Sequence, residues 1–333
     1  MNKTKIVALG EIMLRLSAEN GALLKDAQSF EACYGGSESN VLAALSSLGH
    51  ETEYVSVIPE NEIGQGAVNH LKRLGVGVKF VRRAGDNLGM YFLETGFGER
   101  PSKVVYNRRG SAVSQIDENT FDYDEIFDGC KLFHVCGISA AISENGRRAT
   151  LRFLKEASSR NIAVSFDFNY RAKLWTLDEA SEAYREIAPY VDVCFGNVFD
   201  LKRFLGICGE TDEDVIRAFF EKYKARYLCY TEKATLSSTV NERSGKIYTY
   251  ENGALCRSEL GPFRFEILDR IGAGDSFSAG VLHSLVNGGN ADDAVRFGLA
   301  CCVLKHSLRG DVFTLGESDV NAFLSQKTKD VQR

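Results

Sequence analysis

The segment Asp269-Arg-Ile-Gly-Ala-Gly-Asp275-Ser-Phe-Ser-Ala-Gly280 is where residue types and spacing in this chain best suit chemistry. Gly272 and Gly274 allow a tight turn into a helix, whose first N–H groups then point outward without partners at the positive end of the helix dipole. Such a turn suits a phosphate. A carboxylate at Asp275 would be repelled by that phosphate unless it has a task, and serving as general base toward an attacking hydroxyl is such a task. Taken alone, a Gly-x-Gly-Asp helix start is more often a structural cap. A second candidate is Tyr34-Gly-Gly-Ser-Glu-Ser-Asn40, where Gly35 and Gly36 let backbone approach a ligand and Asn40 can bind a hydroxyl.

Other chemistries lack their residues. There is no GxxxxGK[ST] loop, no GxGxxG at a strand-to-helix turn and no HExxH. His50, His70, His134, His283 and His306 show no ligand spacing and read as core or surface residues.

The elements that must position these segments alternate. Ile6–Leu9, Tyr54–Ile58, Leu132–Val135, Ala163–Phe168, Val193–Phe195 and Tyr227–Tyr230 are apolar runs of strand length. Between them lie helical stretches: Ser37–Leu48 with Ser37 as N-cap, one ending near Leu74, Arg147–Ser158, Leu177–Ile187 and Val215–Tyr223. Thr176 with Glu179 makes a capping box, and Thr211/Asp214 and Asn290/Asp293 are weaker starts. The pattern predicts an α/β fold, three layers (αβα) around a mostly parallel sheet. Ile12–Ser17, Ser29–Cys33, Gly89–Thr95 and Lys103–Arg108 read as strands without crossover helices. They predict a small antiparallel sheet, either a lid over the carboxyl edge of the main sheet or a pair of surface hairpins.

Length and charge narrow the function classes. The 333 residues carry 40 Lys+Arg against 45 Asp+Glu, a net charge of -5, which argues against nucleic acid or an anionic membrane surface as partner. Any anionic ligand must be held locally. The nine cysteines are scattered, without CxxC spacing, and read as reduced thiols. No apolar run approaches a membrane span or a secretory core, so a cytoplasmic location is expected.

Gly-Gly-x-x-x-Asn early and Asp-x-x-Gly-Ala-Gly-Asp late together resemble the ribokinase/PfkB family of carbohydrate kinases, over essentially the whole chain. Five segments are similar to the 2-keto-3-deoxygluconate kinases of that family: Gly10–Leu16, Gly89–Glu94, Arg100–Arg108, Asp167–Trp175 and Lys305–Asp311. The resemblance implies one ribokinase-like domain over 1–333, with a β-sheet lid from segments 12–34 and 89–111. It implies ATP-dependent phosphorylation of the terminal hydroxyl of a sugar acid, with Mg2+ as the metal. The outer face of the lid is expected to be apolar, and a homodimer paired through the lids follows from that. Asp275 would be the base, and the backbone at Gly272, Ala273 and Gly274 would stabilise the transferring phosphoryl group.

Gly35, Gly36, Asn40, Tyr91, Tyr106, Arg108, Ile138 and Arg171 would hold the sugar acid, the two arginines gripping its carboxylate. Asn197, Thr231 and Lys233 would border the nucleotide, together with Gly272 and Gly274. Phe195-Gly-Asn-Val-Phe-Asp200 resembles the family's Asn-x-x-Glu motif with Asp in place of Glu, which makes Asp200 a metal candidate acting through water. Thr231–Ser238 departs from the glycine-rich turn usual there, and Arg270 stands where Thr or Cys is common. A kinase for fructose or another ketose, and a catalytically silent sugar-acid binding protein, are the alternatives.

Overall fold

In the computed structural model, which describes residues 4–325, two sheets are built from thirteen strands. In chain order these are β1 (Lys5–Leu9), β2 (Met13–Ala18), β3 (Phe30–Gly35), β4 (Glu51–Ile58), β5 (Val81–Arg83), β6 (Met90–Glu94) and β7 (Lys103–Asn107). They continue with β8 (Cys130–Cys136), β9 (Ala163–Asp167), β10 (Val193–Phe195), β11 (Tyr227–Thr235), β12 (Val240–Glu251) and β13 (Ala254–Glu266). The main sheet has nine strands in the order β13-β12-β11-β10-β9-β8-β1-β4-β5. Pairing is parallel from β5 to β11, and β12 and β13 add an antiparallel edge.

Alternation along the strands explains the layers. Val7 and Leu9 of β1 join one core with helices Glu144–Ser159, Leu177–Ile187, Val198–Leu205 and Asp212–Lys222. Ile6 and Ala8 join the other, under helices Ser37–Ser47, Glu62–Arg73, Ala273–Val286 and Ala291–Lys305. A strand buried on both faces is the condition for a parallel sheet, and it is why the apolar runs were readable as strands. No described helix is long and apolar enough to cross a membrane.

The second sheet has the order β3-β2-β6-β7. Its two hairpins are antiparallel, as expected, but they meet through a parallel pair, β2 beside β6, so the sheet is mixed. One row across it is Cys33–Arg15–Tyr91–Tyr106, and the neighbouring row, Ala32–Leu16–Phe92–Val105, lies on the opposite face. Val105 is 51% exposed on that second face.

Arg15 fastens this sheet to the main one. Its guanidinium donates to Asp311 Oδ1 and to Asp269 Oδ2, both at 2.7 Å, and its Nε donates to Ser17 at 2.8 Å. All three charged side chains are nearly fully buried. Removing one member of a buried ion group strands the others, so Arg15→Met should destabilise the fold by about 3 kcal/mol. Urea unfolding should show the loss as a lower midpoint; an unchanged midpoint would mean that the clasp contributes nothing.

Candidate active site

The carboxyl ends of the parallel strands and the inner face of the small sheet enclose a cleft of ≈ 280 Å³. Gly35, Gly36, Asn40, Tyr91, Tyr106, Arg108, Ile138, Arg171, Gly272, Ala273, Gly274 and Asp275 all line it, so twelve of the residues singled out from the sequence converge on one space. Asn197, Asp200, Thr231 and Lys233 do not line it.

Asp275 lies in the first turn of the helix Ala273–Val286, which starts at Gly272. Gly272 has φ +79, and a Cβ there would sit 1.7 Å from the carbonyl oxygen of Asp311, so no other residue fits. Gly274 is different: a Cβ would meet nothing within 4 Å. Its bareness leaves the helix N-terminus open to whatever occupies the cleft.

Each Asp275 oxygen accepts one hydrogen bond, Oδ1 from Ser37 Oγ at 3.0 Å and Oδ2 from Asn40 Nδ2 at 2.8 Å. Asn169 Nδ2 donates in turn to Ser37 Oγ at 3.0 Å, which fixes the hydroxyl's direction. Burial pushes the Asp275 carboxyl up to about 6; the bonds from Asn40 and Ser37 hold it down, and the nearby Asp311 charge raises it. Burial likewise pushes Asp167 up to about 7, and the Asp275 charge adds to that shift. At neutral pH Asp275 is therefore ionised, yet a stronger base than an ordinary carboxylate.

Several expected ligands turn out to serve the protein first. Ser37 is not the cap of its helix, which starts at Gly36 without a side-chain cap; its hydroxyl goes to Asp275 instead. Asn40 does not offer a free amide: Nδ2 is on Asp275, and Oδ1 accepts from Gly36 N at 3.3 Å. Tyr91 is buried and its hydroxyl donates to Asp311 Oδ2. Gly35 and Gly36 are small because Asp311 and the Glu11 backbone press against them, a Cβ meeting those groups at 2.2 and 1.9 Å.

Arg108 is 9% exposed and paired with the buried Glu11, which also accepts from Ser111 at 2.6 Å. Its Nε is buried without a partner. Arg171 is exposed and forms no ion pair, either with Asp167 or with any other described residue. Tyr106 lies beside Tyr91, with ring centroids 5.7 Å apart. Ile138 is positioned by Glu38, whose buried carboxylate accepts from Cys136 N at 3.1 Å and Ser139 Oγ at 2.6 Å on either side of it.

The nucleotide and metal candidates sit differently from expectation. Thr231 and Lys233 are not in a turn but on β11, which continues to Thr235 and pairs with β12. Arg243 donates to Thr231 Oγ1 at 3.0 Å, and Arg270 Nη2 donates to Ser238 O at 2.5 Å. Burial and then the neighbouring Arg243 and Arg270 lower the Lys233 ammonium; burial and Arg243 lower Arg270. Three cations that repel one another, beside a cleft that Arg270 lines, suit a polyphosphate. Asn197 and Asp200 form a capping box for the helix Val198–Leu205, with Asp200 Oδ2 accepting from Asn197 N at 2.8 Å. Among the described residues no group of three or more His, Cys, Asp or Glu could hold a metal unaided.

Residues missed as site members are Asp311, bonded to Arg15 and Tyr91, Ser37, bonded to Asp275, and Asn169, which donates to Ser37. Asp167-Phe-Asn169 at the end of β9 was a usable signal, and Asp311 closes the Lys305–Asp311 segment, though nothing in that segment points to its partners.

Comparison with known proteins agrees with this geometry. The family model for pfkB family carbohydrate kinases matches residues 3–314. A 2-dehydro-3-deoxygalactonokinase of Haloferax volcanii is 29% identical over 326 residues, covering 96% of each chain. A 5-dehydro-2-deoxygluconokinase of Clostridium perfringens is 28% identical over 306 residues, covering 88% of this chain and 84% of its own. The crystal structure of a 2-dehydro-3-deoxygluconokinase from Thermotoga maritima superposes with a TM-score of 0.90 at 35% identity, covering 97% of this chain and 99% of its own. With its open helix start, its raised carboxylate and its two-sheet architecture, the chain belongs to the pfkB family of carbohydrate kinases and is a phosphotransferase acting on a sugar hydroxyl.

Proposed function

We propose that this kinase transfers the γ-phosphoryl group of ATP to the terminal hydroxyl of 2-keto-3-deoxygluconate, giving the 6-phosphate. The observation that carries the reading is one cleft with a tuned carboxylate, Asp275, and two arginines, Arg108 and Arg171, on its walls. The relatives' names support it, since all three denote kinases of dehydro-deoxy sugar acids.

The substrate carboxylate would take the unpaired Arg171 and the free Nε of Arg108. Its far hydroxyl would then approach Asp275, which accepts the proton while Ser37 and Asn40 keep the carboxylate from turning. Charge gathering on the transferring group would meet the N–H groups at Ala273 and Gly274, with Arg270 and Lys233 toward the nucleotide. Mg2+ bound to the phosphates, with Asp200 reached through water, would neutralise the rest. The small sheet acts as a lid in this scheme, with Tyr106 covering the sugar and excluding water. Asp275→Asn should lower kcat by about 10²–10⁴ while sugar-acid affinity stays within a few fold. In the wild type, kcat/KM should fall as pH drops through about 6, because protonation removes the base. A pH-independent rate between 5 and 8, or an active Asp275→Asn enzyme, would refute the assignment.

The row Ala32–Leu16–Phe92–Val105 on the outer face of the lid fits a homodimer formed through paired lids. Light scattering at micromolar concentration should give about twice the 36.8 kDa chain mass; a monomer would rule that assembly out.

A further inference from the structure

A second cavity, ≈ 610 Å³, opens from the cleft: Tyr106, Arg108 and Arg171 line both. Its other walls include Arg109 and Lys173, and no Asp or Glu lines it. Arg109, Arg171 and Lys173 form no ion pair with any described residue.

The distribution of charge at the inner end makes the outer cations matter. Arg108 is matched by Glu11, so it offers directional donors and little net charge. Asp167 and Asp275 oppose an incoming carboxylate, since Asp275 is ionised at neutral pH. In a protein of net charge -5, Arg108 and Arg171 alone leave a weakly attractive mouth. A concave wall of one sign focuses the field and raises the local concentration of the opposite ion.

We propose that this cavity is an anion-capture chamber, in which Arg109 and Lys173 receive the carboxylate of the sugar acid before Arg171 and Arg108 take it. The inference rests on the sugar-acid reading above. Recognition there is by charge, with freely moving side chains, so a small dicarboxylate such as malonate also binds. Arg109 and Lys173 are exposed and make no hydrogen bond through their side chains to any described residue, so the double variant R109Q/K173Q keeps its fold.

Two measurements test this. Calorimetric titration of malonate into wild-type protein at low ionic strength should show binding that weakens about tenfold in R109Q/K173Q. The KM for 2-keto-3-deoxygluconate should rise about tenfold in the same variant, with kcat within twofold, the KM for ATP unmoved and a flatter salt dependence of kcat/KM. Malonate that fails to bind the wild type, or binds the variant equally well, overturns the chamber, as does an unchanged kcat/KM. If the wild type does not turn over the sugar acid, the substrate reading fails on its own and the malonate arm still decides the chamber.

Discussion

Arg15 holding Asp269 and Asp311 together is the interaction on which the rest of the site depends. Arg15 belongs to the small sheet, Asp269 opens the loop into the Gly272 helix start, and Asp311 follows the helix Ala291–Lys305. Three separate parts of the chain thereby meet at one guanidinium. Asp311 passes the constraint on: its carbonyl lies against Gly272, its carboxylate takes the Tyr91 hydroxyl, and its side chain closes over Gly35. The helix start that would stabilise a phosphoryl group and the small sheet over the cleft are thus held by the same charge cluster. The arrangement also explains why residues that looked like ligands are engaged with protein: Tyr91, Asn40 and the Gly35–Gly36 turn set where the ligand-facing groups stand.

Charge is partitioned along the cleft. Glu11 is matched by Arg108, whereas Asp311 and Asp269 share the single guanidinium of Arg15, so that cluster carries a formal excess of one negative charge. Asp275 is kept basic by burial and kept ionised by two donors, a balance suited to drawing a proton from an alcohol near neutral pH. Cations that form no ion pair with any described residue gather at two ends, Lys233, Arg243 and Arg270 toward one and Arg109, Arg171 and Lys173 toward the other. The proposed substrates, a nucleotide and a sugar acid, would fit that polarity, and local placement would let a protein that is acidic overall accommodate both.

The parallel part of the fold was legible because strands buried on both faces leave uninterrupted apolar runs, as at Val193–Phe195, where the reading and the strand coincide. Local capping was legible too: Thr176/Glu179, Thr211/Asp214 and Asn290/Asp293 all form boxes. At Asn197/Asp200 the same short-range grammar carries a second meaning, since the motif read for nucleotide and metal also caps a helix. The long β12–β13 hairpin escaped notice because its exposed positions interrupt any apolar run, and Thr231 and Lys233 were taken for a turn in consequence. Asp275 and the glycines before it were readable from local spacing. The clasp was not, since Arg15 lies 254 and 296 residues from its partners and only the folded chain brings them together.

The proposed function requires that the pocket select a carboxylate-bearing sugar. The most direct test is wild-type competition between 2-keto-3-deoxygluconate and fructose for phosphoryl transfer from ATP. Sites built around charged donors reject ligands that lack the matching group, so kcat/KM should favour the acid by about 10³ or more. Equal rates, or faster transfer to fructose, would contradict the account.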